Sequence, residues 1–449
     1  MISRLKLLAR GVWADAHMRE VALGTLLALA IRVGGAALGF GFNVAVARLA
    51  GAQGAGLYFL ALSFVSIGSI LGSVGLGNAL IRFVAAHAAH NEWGAVRAVH
   101  ALGIRFATLV AGMLSVLGFL LAPWIAEAWF HKPLLASPLS WMSLSILPVT
   151  LIALEGQALK SVKRVSIAMI IQAIGIPLIS LALIWPLARI SVIDGAAWAV
   201  LAAAVIMALL AKLAWWRAMA GREADDSHFP FGKLWAACKP MLIVSIMGEA
   251  IMPYAPTFLL GVWGTAADVG VFGAASRLAL LMSFLLAAAN NVIAPKFAEL
   301  YARGDIDSLH KVARHSALLN TLLAIPFFLI LVFFGAELLA LFGKEFTRGA
   351  GMLAVLAVGQ LVNLATGSVG NLLLMTGHEG VFRNLTIACS VLVVLCSVIL
   401  IPSLGGMGAA LASAITVATL NIAATFAARR LVGIDISILS YFSFLRRSH

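Results

Sequence analysis

The chain is built from apolar runs that are long enough to cross a lipid bilayer, and these runs follow one another with short interruptions. About 20 predominantly apolar residues make a helix that spans the hydrocarbon core. The alternating hydrophobicity expected of barrel strands is missing. The sequence therefore predicts an all-α polytopic membrane protein with about 12 transmembrane helices. The predicted spans lie near residues 21–49, 55–84, 98–126, 134–159, 165–188, 195–216, 235–262, 267–296, 315–342, 350–375, 382–403 and 407–428.

The composition and the positions of the charges support this fold class. Hydrophobic residues make up 62% of the 449 and charged residues 11%, a balance that excludes a water-soluble globular domain. With both termini in the cytoplasm, 24 of the 31 lysines and arginines fall in cytoplasmic segments and 5 in outer ones. Positive residues collect in cytoplasmic loops. The net charge of +13 then follows from topology and does not indicate nucleic-acid binding.

The two halves of the chain resemble each other. LAGAQGAGLYFLALSF begins at residue 49 and VWGTAADVGVFGAASRL at residue 262, and Gly56 matches Gly270 while Asn78 matches Asn291, at offsets of 213 to 214. Six spans per half give both halves the same orientation. The sequence thus predicts two six-helix lobes, a 6+6 parallel pseudo-repeat, with a substrate site between them.

The spans and charged stretches also predict the boundaries of the lobes. The predicted regions are an interfacial N-terminal segment (1–20), an N-lobe (21–217), a cytoplasmic linker (218–233), a C-lobe (234–431) and a cytoplasmic tail (432–449). A further cytoplasmic segment, RGDIDSLHKVAR at 303–314, is expected to form a short interfacial helix capped by Asp305 or Asp307.

Charged residues inside the spans are the candidates for function. A charge near the bilayer centre costs about 2.5–3.5 kcal/mol, so we expect it to face a partner or a wet cavity. Arg277 shares a helix face with Asn291, Arg32 shares one with Asn43, and Glu249 lies at a depth similar to that of Arg277. These five residues are predicted to line a central cavity. The planar guanidinium of arginine can bind phosphate oxygens through two hydrogen bonds.

Alternative roles for these residues stay open at this stage. Glu249 and Arg277 are expected either to act on substrate or to form a structural ion pair between two helices. Pro253 and Pro256 should kink the seventh span, either as a gating hinge or as a packing feature. Either a pair with Lys160 or snorkelling from the inner end of the fourth span to the membrane surface explains Glu155 without a functional role.

No motif indicates catalysis or metal binding. The glycines between Gly51 and Gly56 join two membrane helices and lack the strand and lysine of a phosphate loop. His87, His90 and His100 lack the acidic or cysteine neighbours of a metal site. We expect neither catalytic residues nor a cofactor.

Several segments together are similar to a known family. GVFGAASRL, GDIDSLHKVAR, LLLMTGHEGVFRN and LIPSLGGMGAALASA in the second half, and VARLAGAQGAGLYFLALSFVSIGSILGSVGLGNALIRF in the first, resemble the polysaccharide-transporter branch of the multidrug/oligosaccharidyl-lipid/polysaccharide (MOP) exporter superfamily. The resemblance covers about residues 20 to 430. Arg277 falls on the arginine before leucine that recurs in the eighth helix of the family.

The resemblance implies a V-shaped pair of lobes around a central cationic cavity. It implies flipping of polyprenyl-diphosphate-linked oligosaccharides across the bacterial inner membrane. The excess of arginine over acid among the charges within the spans predicts that the membrane potential contributes to direction, with proton or sodium coupling through Glu249 as the alternative. Membrane lipids, polysaccharide polymerase and assembly proteins are the expected partners of a monomer. The two extra C-terminal helices of the lipid II branch are absent from the sequence, so we expect a substrate other than lipid II.

Three other classes are weaker. Drug and cation antiporters of the same superfamily usually carry acidic residues in the cavity, where the first half of this chain offers Arg32. A membrane scaffold for polysaccharide assembly does not explain the charges within the spans. A lipid-linked polymerase or ligase would require a long outer loop, and the predicted outer loops are short.

Overall fold

The computed structural model describes residues 16–222 and 228–434; within these, the side chains of residues 16–26, 285, 287–289, 291 and 292 are not described. Most of the predicted N-terminal segment, the middle of the linker and nearly all of the tail lie outside the described residues. In the described part, the regular elements are all helices. The first half contains α1 (Ala16–Ser73), α2 (Leu76–Ala89), α3 (Trp93–Trp124), α4 (Ala136–Ser143), α5 (Ile146–Ser161), α6 (Val165–Met169), α7 (Ile176–Ala188) and α8 (Val192–Met219).

The second half repeats this alternation of long and short helices. Three short π-helical turns, Ile125–Trp129, Ile170–Gly175 and Ile246–Ile251, interrupt the long helices of the chain. The helices of the second half are α9 (Phe231–Ser245), α10 (Met252–Trp263), α11 (Ala266–Leu280), α12 (Ser283–Ala302), α13 (Ile306–Phe333), α14 (Gly335–Leu339), α15 (Ala350–Ala365), α16 (Val369–Met375), α17 (Glu379–Leu404) and α18 (Gly406–Leu431).

Ten helical segments in the described residues are long and apolar enough to cross a bilayer. The first of them, Leu27–Ser73, contains two passes, because the chain turns at Gly51, whose φ of 66° and ψ of −176° are not helical. The broken pair α11 and α12 is not among the ten and makes one further pass. We therefore assign twelve passes, as the sequence predicts.

Two of the π-helical turns come directly before a proline. Pro177 and Pro253 each occupy the second position of the helix that follows the turn, α7 and α10. A proline in a helix lacks its N–H group and clashes with the carbonyl four residues earlier. A π-helical turn widens the backbone at that point, which removes the clash. The irregular backbone before Pro253 is thus explained by the proline, as the sequence predicts.

The two halves approach each other closely where α1 packs against α11. The repeat matches Gly56 with Gly270, and these two glycines lie backbone to backbone. A Cβ atom on Gly56 would lie 1.7 Å from the carbonyl oxygen of Ala266, and one on Gly270 would lie 2.1 Å from that of Ala52. Neither position can carry a side chain without separating the helices. The contact joins equivalent positions of the two halves.

The hydrophobic core is continuous on one side of the molecule and divided on the other. One cluster joins both halves on the side predicted to face outward, and its largest buried side chains include Phe59, Phe342 and Phe346. On the opposite side, the first half packs around residues such as Leu80 together with Cys238 of α9. The remaining second half has a separate core that includes Phe297. The two halves are thus held together chiefly on the predicted outer side.

Polar contacts add to this closure and form what we call the outer latch. The Lys132 Nζ atom donates a hydrogen bond to the Gly261 carbonyl oxygen at 2.6 Å. The backbone N–H of Ala52 donates to Glu345 Oε1, also at 2.6 Å, next to the turn at Gly51. Both bonds connect the first half of the chain with the second.

The predicted short interfacial helix at 303–314 is wrong in its length. Asp305 does cap a helix, since its side chain accepts a hydrogen bond from the Ser308 N–H at 3.0 Å. The helix continues as α13 to Phe333, 28 residues in all, because the amphipathic start runs without a breaker into the next apolar span.

Candidate functional site

Arg277 lies at the wall of a cavity between the two halves. The cavity has a volume of about 410 Å³ and is formed by α1 after Gly51, α10, α11, α15 and α18. Arg277 is the single charged side chain among its lining residues. The cavity therefore carries a net positive charge.

The arginine is fixed by contacts that leave its charge without a counter-ion. Its Nη1 atom donates a hydrogen bond to the Gly273 carbonyl oxygen at 3.0 Å, and its guanidinium carbon lies 3.7 Å from the centre of the Phe59 ring. The Phe59 ring reaches this position because residue 273 is a glycine, where a Cβ atom would lie 2.2 Å from the ring. The described residues place no carboxylate within ion-pair distance of Arg277. The site offers a positioned cation to a ligand.

Neutral polar groups surround the arginine. The Ser276 Oγ atom is buried without a hydrogen-bond partner next to Arg277. Hydroxyl and amide groups can donate to phosphate or sugar oxygens and accept from sugar hydroxyls. The polar residues that line the cavity besides Arg277 are Ser63, Tyr254, Thr257, Ser276, Gln360, Ser413 and Thr416.

Glu249 does not contact Arg277. It lies in the π-helical turn between α9 and α10, is exposed, and makes no hydrogen bond or ion pair with any described residue. It is not among the residues that line the Arg277 cavity, whereas Pro253 is. Of the two alternatives for Glu249 and Arg277, the structural ion pair is not formed in this conformation. Pro256 is buried in α10.

Arg32 and Asn43 lie outside the Arg277 cavity. Arg32 is exposed on the part of α1 before Gly51, and its positive charge repels that of Lys160 at the end of α5. Asn43 donates from Nδ2 to the Gly39 carbonyl oxygen of its own helix at 2.7 Å. Asn291 lies on α12, and its side chain is outside the described residues. The structure thus brings Arg277 and Pro253 to one cavity, and places Arg32, Asn43 and Glu249 elsewhere.

Lys160 was missed as a candidate by sequence reasoning, which assigned it to Glu155. The structure corrects that pair, because Glu155 Oε2 lies 2.8 Å from His100 Nε2 and both side chains are buried. Lys160 Nζ donates to Gln157 Oε1 at 3.3 Å instead. Residues five apart on a helix point about 140° away from each other, so Glu155 and Lys160 cannot share a face. The spacing of five residues in the sequence was therefore enough to exclude this pair.

The described residues contain no group of three or more histidine, cysteine or acidic side chains that could hold a metal ion. The lining of the Arg277 cavity offers a ligand one guanidinium and several hydroxyl and amide groups.

Two lobes of membrane-spanning helices with a cationic cavity at their interface define a polytopic membrane transporter. The chain belongs to the polysaccharide biosynthesis protein family, whose profile matches residues 21–301. A curated relative, the probable low-salt glycan biosynthesis flippase Agl15 of Haloferax volcanii, is 27% identical over 177 residues. This match covers 39% of the chain and 38% of that relative, well under half of the relative's length.

Solved structures show the same fold. An inward-facing multidrug resistance MATE family transporter of the MOP superfamily matches with a TM-score of 0.75 and 15% identity, over 91% of this chain and 98% of that one. The lipid II flippase MurJ, in an inward closed conformation, matches with a TM-score of 0.75 and 14% identity, over 90% and 87%. A MOP superfamily transporter from Pyrococcus furiosus matches with a TM-score of 0.68 and 14% identity, over 91% and 94%. The fold is that of the MOP superfamily.

Proposed function

We propose that the protein is a flippase that moves a polyprenyl-diphosphate-linked oligosaccharide across the bacterial inner membrane by alternating access. The observation that carries this proposal is Arg277, a cation held in an interlobe cavity without a carboxylate partner. Burying a charged side chain within the membrane costs free energy, and such residues mark ligand or ion pathways. A guanidinium with free N–H groups suits a diphosphate, because it binds two oxygens at once and keeps its charge at any physiological pH.

The lining of the cavity supports a ligand that combines phosphate with sugar. Ser276, Gln360 and Thr416 place hydroxyl and amide groups around the cation. Polar cavities with a few well-placed groups recognise part of a ligand and leave the remainder outside. The diphosphate and the first sugar would bind here, while the rest of the glycan extends from the opening between the lobes. The family assignment and the curated glycan flippase relative point the same way.

The distribution of the cores supports loading from the cytoplasmic side. The lobes share one core on the predicted outer side and have separate cores on the other, so this conformation is closed toward the outside. Release outside would then require the outer latch to open and the inner ends of the lobes to approach each other. Arg32 and Lys160 would meet the anionic head group at the inner side before it reaches Arg277.

The membrane potential would contribute to direction. With the inside negative, each negative charge carried fully outward gains about 2.3 kcal/mol per 100 mV. For a head group with a charge near minus two, this amounts to roughly 4–5 kcal/mol. Proton or sodium coupling is the alternative, and Glu249 is then the first residue to test.

A cation antiporter of the same superfamily is the competing function. The described lining residues of the Arg277 cavity include no carboxylate, which disfavours this function, because a cationic drug would meet a cation there. The two functions separate in a binding assay on the purified protein. We expect a short polyprenyl-diphosphate-linked sugar to bind and a fluorescent cationic dye not to bind. Binding of the dye with no binding of the diphosphate would reject the flippase proposal.

A further inference from the structure

A second cavity opens on the lipid-facing surface of the first half, between α3, α5 and α8. Its volume is about 810 Å³, and none of its lining residues lines the Arg277 cavity. It lies in the half of these helices that is predicted to face the cytoplasm. It is therefore a separate feature that the proposed transport function does not use.

The interior of this cavity holds a buried histidine and a buried glutamate that pair with each other. His100 Nε2 and Glu155 Oε2 are 2.8 Å apart, and the His100 ring stacks on Trp215 with ring centres 4.0 Å apart and an angle of 19° between the planes. The Glu155 carboxylate is thus engaged by His100, and it forms no ion pair with a lysine or arginine among the described residues. The pair and the indole ring form the floor of the cavity.

The mouth of the cavity is cationic. Arg97 is engaged, since its Nη2 atom donates to the carbonyl oxygens of Met219 at 3.0 Å and Arg222 at 2.8 Å and so holds the end of α8. Arg105 and Lys212 are exposed and make no hydrogen bond or ion pair within the described part of the chain. With three cations and one carboxylate, the cavity is positive whether His100 carries a proton or not. Two of these cations, Arg105 and Lys212, thus have no hydrogen-bond or ion-pair partner among the described residues.

The same cavity is open to the hydrocarbon of the membrane. Leu209 and Trp216 line it and are 64% and 66% exposed, on a helix that spans the bilayer. Ile104 and Leu151 continue the apolar wall inward. A ligand that fits must therefore carry a negative charge at one end and apolar chains at the other.

We propose that this cavity binds an anionic glycerophospholipid from the inner leaflet, with its phosphate on Arg105 and Lys212 and an acyl chain along Leu209 and Trp216. Basic pockets between spanning helices on the cytoplasmic side suit such head groups. The site is distinct from the Arg277 cavity, so the proposal does not depend on the identity of the transported molecule.

The test is native mass spectrometry of the purified full chain, extracted from vesicles that contain phosphatidylglycerol and phosphatidylcholine at equal fractions. We expect the wild type to retain phosphatidylglycerol in preference. The double variant Arg105→Gln with Lys212→Gln should lose about 30-fold in apparent affinity, since each cation near an anionic lipid contributes about fivefold. Retention of both lipids to the same extent by the wild type would overturn the proposal.

Two further variants make the result specific to the site. The pair Lys311→Gln with Arg383→Gln removes the same charge from exposed positions on the predicted cytoplasmic side of the second half, and we expect it to bind phosphatidylglycerol like the wild type. An equal loss in that pair would assign the effect to general surface charge. The pair Arg105→Lys with Lys212→Arg keeps the charges and the fold and should retain the lipid, and loss there would contradict a charge-based site. Displacement by millimolar inorganic phosphate would assign the cavity to a soluble anion and overturn the lipid proposal.

Discussion

Arg277 is turned toward the Gly273 carbonyl and the Phe59 ring, and Glu249 is not within reach. Because the two residues do not contact each other in this arrangement, exchanging their charges cannot rebuild a lost interaction. We expect Glu249→Arg with Arg277→Glu to transport as poorly as Arg277→Glu alone, at similar amounts in the membrane. Transport of a lipid-linked oligosaccharide by membrane vesicles measures this. Full recovery in the double variant would make the two residues a structural ion pair and remove Arg277 from the substrate site.

Arg32 and Lys160, at the inner end of the lobes, are expected to contribute to substrate binding. Arg32 and Lys160 repel each other in the empty protein, and an anionic head group between them would relieve that repulsion. Loss of one charged hydrogen bond costs on the order of 10- to 100-fold in affinity. We expect Arg32→Gln and Lys160→Gln each to weaken binding of the lipid-linked substrate by about tenfold. Lys163→Gln, an exposed lysine just beyond α5, is the matched control. Equal weakening in the control would leave no specific role for the pair.

The contacts of the charged side chains could not be predicted from the sequence. Counting along a span gives the depth of a side chain but not the direction in which it points once helices are packed. Depth placed Glu249 beside Arg277, whereas packing of α1 against α11 gives the arginine Phe59 as its neighbour. The partner of Glu155, His100, comes from α3 and depends on packing in the same way.

At the scale of elements, the outer latch is the part that must release for the cavity to open outward. Glu345 accepts the N–H of Ala52 at the start of the second pass, and the charge of the carboxylate strengthens that bond. Glu345→Gln should weaken the latch and increase opening toward the outside. The readout is labelling of a cysteine at Ser63, which lines the Arg277 cavity, by a membrane-impermeant maleimide in a chain whose three native cysteines are replaced by serine.

We expect labelling from outside to be slow with Glu345 intact and several times faster with Glu345→Gln. Glu337→Gln is the control, because Glu337 lies near the same loop, is exposed and makes no hydrogen bond or ion pair with the described residues. Unchanged labelling in Glu345→Gln would show that the shared hydrophobic core closes the outer side without this bond.

Element structure was largely predictable where local chemistry decides it. Pro253 and Pro256 indicated an irregular helix, and a π-helical turn precedes them. Gly56 and Gly270 were matched by the repeat, although nothing in the sequence showed that the two would touch each other. Asp305 was recognised as a cap, but the length of α13 was not, since caps mark where a helix begins and not where it ends.

At the scale of the whole molecule, the twelve passes and the repeat were predictable because bilayer thickness fixes the length of each span. The closure of one side was not predictable, since it depends on how the lobes pack.

The orientation in the membrane rests on the charge distribution and is a prediction. We expect a cysteine at Asp225, in the linker, to be protected from an impermeant thiol reagent in intact cells. A cysteine at Lys344, in a predicted outer loop, should react. Labelling at Asp225 with protection at Lys344 would invert the topology.

The cation of Arg277 is proposed to hold a lipid diphosphate during transport. The most direct test is flipping of a fluorescent, short-chain polyprenyl-diphosphate-linked oligosaccharide in proteoliposomes, detected as loss of access to an impermeant quencher. We predict flipping well above that of protein-free vesicles for the wild type, a reduction of about 10- to 100-fold for Arg277→Gln, and partial recovery for Arg277→Lys, which keeps the charge but loses the fork. Arg303→Gln, at an exposed arginine paired with Glu299, should flip like the wild type. Wild-type rates equal to those of protein-free vesicles would contradict the flippase function, and undiminished flipping by Arg277→Gln would contradict the role of Arg277.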